Sequence, residues 1–346
     1  MPEKIRLIDP YGRLIHKLRV QITDACNFRC FYCIPQRAQF TPSQDLLSVL
    51  ELMEICSGLV EFGIDEMRIS GGEPTLRKDF SEIVKGLSEL PVERLGVTTN
   101  GFFLKDNLSM LRKTKCRHIN ISLDSLNHNN FGLITKTDYF QEVLDNVLLS
   151  KRMGFHVKVN MVVLRGINDH EIFDFIEFSA RHNIEVRFLE LMRIGPYYKN
   201  HAQLFVSAQE LNEPPRSKLT GYPQQTAKRK RSKLRGIIPK EIKKIEERDV
   251  LEPQSVNCDS TSFNFCTSSG AMIGFIASES QSFCGFCSRL RLTATGKLRA
   301  CIMSEDGVNL RGVPKEKYPE VLKTVLRMKP LERLEHIEQP MYQIGG

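Results

Sequence analysis

Cys26, Cys30 and Cys33 bring three thiols into one short loop, spaced C-x3-C-x2-C, and no fourth ligand lies beside them. A closed zinc site or an ordinary iron-sulfur cluster takes four protein ligands, so three in a tight loop point to a [4Fe-4S] cluster with one iron left open for chemistry. The competing possibility is a zinc knuckle completed by a remote residue. Phe28 and Tyr32 flank the thiols, and such an apolar shell limits solvent and tunes a cluster's potential. A second set, Cys284, Cys287 and Cys301, spaced C-x2-C-x13-C, again supplies three thiols. Its alternative is structural zinc closed by His336, Cys258 or Cys266. Arg289 and Arg291 follow Cys287 closely, with side chains on one side of a predicted strand. Guanidinium forks suit phosphate oxygens, although on an ordinary strand such a pair is a solvated face.

The elements that must position these groups alternate between two periods. Strand-like runs are expected at Arg19–Thr23, Glu66–Ser70, Arg94–Thr98, His118–Leu123, His156–Leu164 and Ile184–Leu189, with helices around Leu46–Phe62, Phe80–Leu90, Asn107–Lys113, Phe140–Met153 and Glu171–His182. Asn168 and Asp169 serve as the expected start of the last helix. Six βα units in series predict a parallel sheet, curled into a partial barrel or laid open. Ligands in such folds sit beyond the C-terminal strand ends. The cysteine loop, Gly71-Gly72-Glu73-Pro74, Thr98-Thr99-Asn100-Gly101 and Ser122-Leu123-Asp124 all fall there. The two glycines would let a ligand approach backbone, and the Glu73 carboxylate could take an ammonium group.

Three stretches follow along the chain: 1–195 with the βα periodicity, 196–269 as an irregular linker, and 270–346 carrying the second cysteine set. Order is expected to return near Gly270, with a strand over Ala271–Ile276. Of 346 residues, 41% are hydrophobic and 26% charged, ordinary for a soluble enzyme. No apolar run approaches the ~18 residues of a membrane span, and the N-terminus has neither signal-peptide nor transit-peptide character, so the cytoplasm is expected. Basic residues exceed acidic by 49 − 41 = 8. The run from Lys228 to Lys244 holds nine basic residues against Glu241 alone and accounts for that whole excess. The charge is local, so nucleic-acid binding is not favoured. Six of ten cysteines stand at metal-ligand spacing, which argues against a disulfide framework; Cys56, Cys116, Cys258 and Cys266 read as buried thiols or bystanders.

The cysteine loop followed one βα unit later by Gly-Gly-Glu-Pro resembles the radical S-adenosylmethionine (SAM) superfamily. With the second cysteine set and the closing Ile344-Gly345-Gly346, the chain is similar to the GTP 3′,8-cyclase (MoaA) family of molybdenum cofactor biosynthesis. Shared text includes Arg68–Pro74, Thr98–Gly101, Ser122–Leu126, Arg187–Met192 and Phe283–Cys301. The resemblance implies an α/β fold: a partial (βα)6 TIM-type barrel of the radical SAM type, with a C-terminal α+β extension carrying a second iron-sulfur cluster. It implies Cys26, Cys30 and Cys33 on the SAM-binding [4Fe-4S] cluster, and Tyr32, Gly72, Ser122 and Met192 against SAM. It also implies Cys284, Cys287 and Cys301 on a second [4Fe-4S] cluster that binds guanine, and Arg19, Arg68, Thr98, Lys158, Arg289 and Arg291 against GTP. Lys158 taken alone could equally be a strand lysine facing solvent. A terminal Gly345-Gly346 is ordinarily a frayed tail; in this family it reaches the active site and supports catalysis.

The implied reaction is removal of the ribose 3′ hydrogen by a SAM-derived 5′-deoxyadenosyl radical, attack on guanine C8 and reduction to 3′,8-cyclo-7,8-dihydro-GTP. Implied partners are GTP, a flavodoxin- or ferredoxin-like electron donor, a downstream cyclic pyranopterin monophosphate synthase and a second copy of the chain in a homodimer, with no membrane. Departures from the family pattern are the absence of tryptophan after Gly195, where Tyr197 or Tyr198 would stand in, and Ser288, Thr295 and Gln343 in place of asparagine, aspartate and arginine. The stretch from Gln203 to Ser269 hardly matches. Two other functions compete for these residues. One is a different radical SAM enzyme with an auxiliary cluster, acting on a peptide or small molecule. The other is a zinc-bearing RNA-binding protein using Lys228 to Lys244 as a basic arm.

Overall fold

The computed structural model describes residues 5–206 and 251–345; the basic run 228–244 and Gly346 lie outside the described residues. A short antiparallel hairpin, β1 (Leu7–Ile8) and β2 (Leu14–Ile15), precedes the main sheet. Then come β3 (Lys17–Gln21), α1 (Val49–Glu61), β4 (Glu66–Ser70), α2 (Phe80–Glu89), β5 (Arg94–Thr99), α3 (Leu104–Leu111), β6 (Cys116–Ser122), α4 (His128–Thr135), α5 (Phe140–Arg152), β7 (His156–Val163), α6 (Ile172–His182) and β8 (Glu185–Glu190). The C-terminal region adds β9 (Leu251–Pro253), β10 (Phe263–Thr267), β11 (Met272–Ile276), β12 (Arg289–Leu292), β13 (Lys297–Arg299), β14 (Gly307–Asn309) and a helix over Tyr318–Arg327.

All strands after the hairpin join one sheet in the order β14-β13-β12-β3-β4-β5-β6-β7-β8-β11-β10-β9. The six predicted parallel strands form its centre. The C-terminal region extends that same sheet at both margins: β11 pairs parallel with β8, and β12 parallel with β3. Order also begins before Gly270, because β9 and β10 precede it.

The central strands follow a period of two, interrupted in β5 and β6, where Gly96 and Asn120 are buried as well. Leu18, Val20, Met67, Ile69, Leu95, Val97, Ile119, Ile121, Val159 and Val186 are buried in the shared core with residues of α1–α6 such as Leu52, Ile83, Leu108, Val147 and Phe175. The opposite face carries polar side chains: Lys17 and Arg19, Glu66 and Arg68, His118 and Asn120, Lys158, Arg187. A curled parallel sheet normally fills its interior with branched aliphatics. Here the inward face is polar and lines a cavity.

Helix α1 starts at a full capping box, in which Ser48 Oγ accepts from Glu51 N–H while Glu51 Oε2 accepts from Ser48 N–H at 2.7 Å. The predicted start of α6 differs. Asn168 is fully buried and does not cap; its Nδ2 donates to the carbonyls of Asp124 (2.6 Å) and Val162 (2.9 Å), and its Oδ1 accepts from Leu164 N–H. It ties the end of β7 to the loop after β6. The predicted Arg19–Thr23 strand lies two residues earlier in the chain, and the helix expected at Asn107–Lys113 starts at Leu104. Helix α4 was not predicted.

Candidate functional site

At the C-terminal ends of β3–β6 the four motif loops pack against one another. Gly72 N–H donates to Thr23 O at 2.8 Å and Glu73 N–H to Ala25 O at 2.7 Å, so the glycine loop is bonded to the backbone leading into Cys26. A Cβ on Gly72 would lie 2.3 Å from the carbonyl oxygens of Asp24 and Ala25. What those glycines admit is the protein's own chain. Glu73 is fully buried and accepts from Thr75 N–H and Oγ1–H, Thr99 Oγ1–H (2.7 Å) and Asn100 N–H (2.6 Å). It therefore organises three loops, and the expectation that it takes a ligand's ammonium finds no exposed carboxylate.

Asn100 Nδ2 bonds Asn27 Oδ1 at 2.8 Å and approaches Cys26 Sγ at 3.9 Å, while Phe28 N–H points at the same sulfur from 3.4 Å. Burial, with the Glu73 carboxylate nearby, pushes the Cys26 thiol up to about 11. Burial also raises Cys30 and Cys33, and the neighbouring thiols add to it, since a second negative charge there is unfavourable. Such a trio is stable as thiols or as ligands of a cation. Tyr32 Oη donates to Asp124 Oδ2 at 2.6 Å, and burial lifts the Asp124 carboxyl to about 6.

Below these loops, inside the sheet's curl, lies a cavity of about 460 Å³ lined by Arg19, Arg68, Lys158, Arg187 and Arg289 among others. Their register is unusual. Arg291 stands opposite Arg19 across β12 and β3, and Arg19 opposite Arg68 across β3 and β4. Like charges directly opposite in a sheet repel. Burial, and then one another's charges, hold Arg19 well below the ordinary arginine range; Arg187 and Arg291 fall to about 10. Arg187 Nε and Nη2 are buried without a hydrogen-bond partner. Lys158 does not simply face solvent: it is half-buried and pairs with Glu185 at 2.7 Å. Arg19 Nη1 donates to Thr98 Oγ1 at 3.3 Å, and Ser122 ends the inward face of β6. Buried guanidiniums in register, with Arg187 Nε only 4.0 Å from Glu185 and two of its nitrogens lacking a hydrogen bond, concentrate positive charge on this face.

The second cysteine set adjoins this cavity through Arg289, whose Nη1 lies 4.0 Å from Cys287 Sγ. Arg289 and Arg291 share one face of β12, as expected, and Arg291 Nη1 donates to Gly345 O at 2.7 Å, bringing the tail to the chamber. Gly345 has φ 75°, and a Cβ there would meet Gln21 Cβ at 2.9 Å. Lys329 and Arg289 hold the Cys287 thiol down at about 7 against the cost of burial. Met303 N–H points at Cys301 Sγ from 3.4 Å. Met192 packs with Ile194, Met303, Ile337, Ile344 and Cys301, so the loop after β8 is joined to the second set.

The donor chemistry fits iron-sulfur ligation: each loop offers three free thiols with N–H groups aimed at sulfur. Among the described residues no three His, Cys, Asp or Glu side chains close on a single metal ion. The partners suggested for zinc are otherwise engaged or outward: His336 stacks on Tyr198 at 4.5 Å and Cys258 is exposed. Of the two tyrosines expected to stand in for tryptophan, Tyr198 makes that stack on His336, and the Tyr197 side chain lies outside the described residues. Of the departures, Ser288 Oγ donates to Asp259 Oδ2 at 2.6 Å, Thr295 Oγ1 meets Thr293 Oγ1 at 3.2 Å, and Gln343 Nε2 donates to Tyr342 Oη at 3.2 Å. Cys56 and Cys116 are buried. The sequence missed Arg187 as a site residue, although it stands in a quoted motif and alternates in phase with the other inward cations.

Residues 20–179 match the radical SAM superfamily model and residues 238–336 match the model described as Molybdenum Cofactor Synthesis C. A GTP 3′,8-cyclase of Synechocystis sp. is 41% identical over the whole of this chain and 97% of its own length. GTP 3′,8-cyclase 2 of Pseudomonas aeruginosa is 32% identical over 94% of this chain and 92% of its own. Among solved structures, Streptococcus suis SuiB bound to S-adenosylmethionine covers 92% of this chain and 69% of its own length at 14% identity, with a TM-score of 0.59, a likeness of fold alone. By sequence over its full length, the chain belongs to the GTP 3′,8-cyclase family of the radical SAM superfamily.

Proposed function

We infer that this chain is a GTP 3′,8-cyclase, forming 3′,8-cyclo-7,8-dihydro-GTP in the first step of molybdenum cofactor biosynthesis. The observation that carries this is the in-register row Arg291, Arg19 and Arg68, with two Arg187 nitrogens lacking a hydrogen bond nearby: a triphosphate would balance this excess of positive charge. Cys26, Cys30 and Cys33 would hold a [4Fe-4S] cluster, with SAM against Tyr32, Gly72, Ser122 and Met192. Cys284, Cys287 and Cys301 would hold a second cluster at the guanine end. When bound, the first cluster and SAM supply the 5′-deoxyadenosyl radical that takes the ribose 3′ hydrogen.

The chain's own task is placement. Arg19, Arg68, Lys158, Arg187 and Arg289 anchor the phosphates, and Thr98 steadies Arg19. Arg291 and the Gly345 carbonyl fix the middle of the chamber, where ring closure within one nucleotide depends on orientation. No general acid or base is required of these residues for the radical step. The tail glycines, 345 and 346, support it. Functionally the chain divides into a radical SAM core over 1–195 and an auxiliary-cluster region over 270–346, and the intervening stretch, expected as a linker over 196–269, supplies β9, β10 and Asp259 to the sheet and the cavity.

A low-potential flavodoxin- or ferredoxin-like donor supplies electrons, a cyclic pyranopterin monophosphate synthase takes the product, and the active form is a homodimer. No described helix is long and apolar enough to cross a membrane, and the cytoplasm suits the oxygen-sensitive clusters. Anaerobic incubation with SAM, GTP and reductant should yield 5′-deoxyadenosine and cyclised GTP. Deoxyadenosine formation indifferent to GTP would refute the assignment.

A further inference from the structure

Lys329 lies just beyond the helix Tyr318–Arg327 and is 2% exposed. Its ammonium has three protons and three acceptors: Arg289 O at 2.6 Å, Ala300 O at 3.0 Å and Cys287 Sγ at 3.4 Å. Among the described residues no carboxylate pairs with it. A buried ammonium without a counter-charge is strongly disfavoured. Among the described residues the sulfur it contacts is Cys287 Sγ, so its charge is directed at that ligand atom.

Its position is fixed from a distant part of the chain. Arg13, in the β1–β2 hairpin, is 7% exposed and pairs with Asp9 at 2.6 Å. Its Nη1 donates to Cys284 O at 2.5 Å and Pro330 O at 2.9 Å, and its Nη2 to Lys329 O at 3.4 Å. One guanidinium thus joins the Cys284 loop to the backbone of Lys329, holding ammonium and sulfur in register. The other loop is different: Cys26, Cys30 and Cys33 stand near the carboxylates of Glu73 and Asp124.

We propose that Lys329, positioned by Arg13, is the fixed counter-charge of the auxiliary cluster, its N–H···S contact to Cys287 keeping that cluster easier to reduce. A positive charge at a ligand sulfur favours the more negative, reduced cluster, and outer groups of this kind tune both affinity and potential. Lys329 is a positioning residue, since it touches a ligand sulfur and not the substrate. The proposal rests on the two-cluster reading above.

The test isolates the auxiliary cluster in a Cys26→Ser, Cys30→Ser, Cys33→Ser background, reconstituted anaerobically and titrated with dithionite while the reduced cluster is followed by electron paramagnetic resonance. Iron and acid-labile sulfide in this parent check the two-cluster reading; their absence sinks that reading. With the cluster present, Lys329→Gln, which keeps a donor for the carbonyls and removes the charge, should lower the reduced-to-oxidised ratio about tenfold at fixed poise. That is about 59 mV for one electron. Lys329→Arg should stay within about twofold of the parent. A Gln variant with the parental potential overturns the proposal. If Gln loses the cluster and Arg retains it, the charge is required as proposed; loss in both variants overturns it.

Discussion

Asp259 offers the sharpest test of how the N-terminal end of the chamber is held. Its Oδ2 accepts from Lys17 Nζ (2.7 Å), Ser288 Oγ (2.6 Å) and His16 Nε2 (3.0 Å), and its backbone carbonyl accepts from Arg289 Nη2 (2.9 Å). Three hydrogen bonds to a carboxylate at ~1.5–3 kcal/mol each would sum to about 4.5–9 kcal/mol. Two donors, however, keep second partners: His16 Nδ1 reaches Asp65 at 2.7 Å, and Lys17 lies 3.6 Å from Glu66. Asp259→Asn therefore removes the charge without orphaning either cation, and its cost should be about 2–3 kcal/mol.

The pH dependence carries a sign. The bond to Asp259, and then Asp65, raise His16 above 6.5, so its contribution is complete below 6.5 and is lost as pH rises through the folded value. Against the cost of burial, the bonds from His16, Lys17 and Ser288 hold Asp259 well below 3.8; its contribution stands above 3.8 and is lost only as pH falls through the folded value. The Asn penalty should thus be about 1 kcal/mol larger near pH 6 than near pH 8. Urea unfolding of the reduced apo-protein at both pH values measures it. A penalty equal at both, or larger near pH 8, would refute this account of the network.

Three further outcomes follow from the site. Arg187→Met removes buried donors that lack hydrogen bonds, and Glu185, 4.0 Å from Arg187, keeps Lys158 as its partner, so the apo-protein should melt at an equal or higher temperature while GTP affinity, read by equilibrium dialysis, falls at least about tenfold; an unstable variant with normal GTP binding would contradict the proposed GTP site. Gly72→Ala puts a Cβ 2.3 Å from two backbone oxygens, so iron analysis should find the first cluster missing and the second retained. Gly345→Ala, strained at φ 75°, should break the Arg291 contact and lower turnover about tenfold at unchanged GTP affinity; turnover at the parental rate would show that the tail contact is dispensable.

The central strands were legible because their period-two pattern survives even though the inward face is cationic. The same pattern marks Arg187 in phase with Glu185 and Leu189, yet alternation alone does not say that two of its nitrogens are buried and unpaired. Helix α4 was hidden by His128, Asn129, Asn130 and Gly132, poor helix formers whose start is fixed by the Asn127 side chain accepting from Asn129 and Asn130 N–H. Strands β9 and β10 escaped because they are short and partly polar, β10 being held by pairing onto β11 and β9 by pairing onto β10. Glu73 and Asn168 were assigned ligand and capping duties from type and spacing; both instead bond distant backbone, which a linear sequence does not display. The cysteine sets needed least help, since thiol spacing is itself a statement about geometry.

That both margins of the central sheet are completed by late strands has a bearing on biogenesis. A ribosome delivers β3 and β8 long before Met272–Ile276 and Arg289–Leu292 arrive to cover them. Until then the nascent chain carries two open sheet edges and an arginine-lined hollow lacking its last wall, the state in which strands are most apt to pair with the wrong neighbour. The thiols of the first loop are meanwhile already made. The first loop is therefore complete before the cavity gains its last wall, and the open edges must stay apart until then.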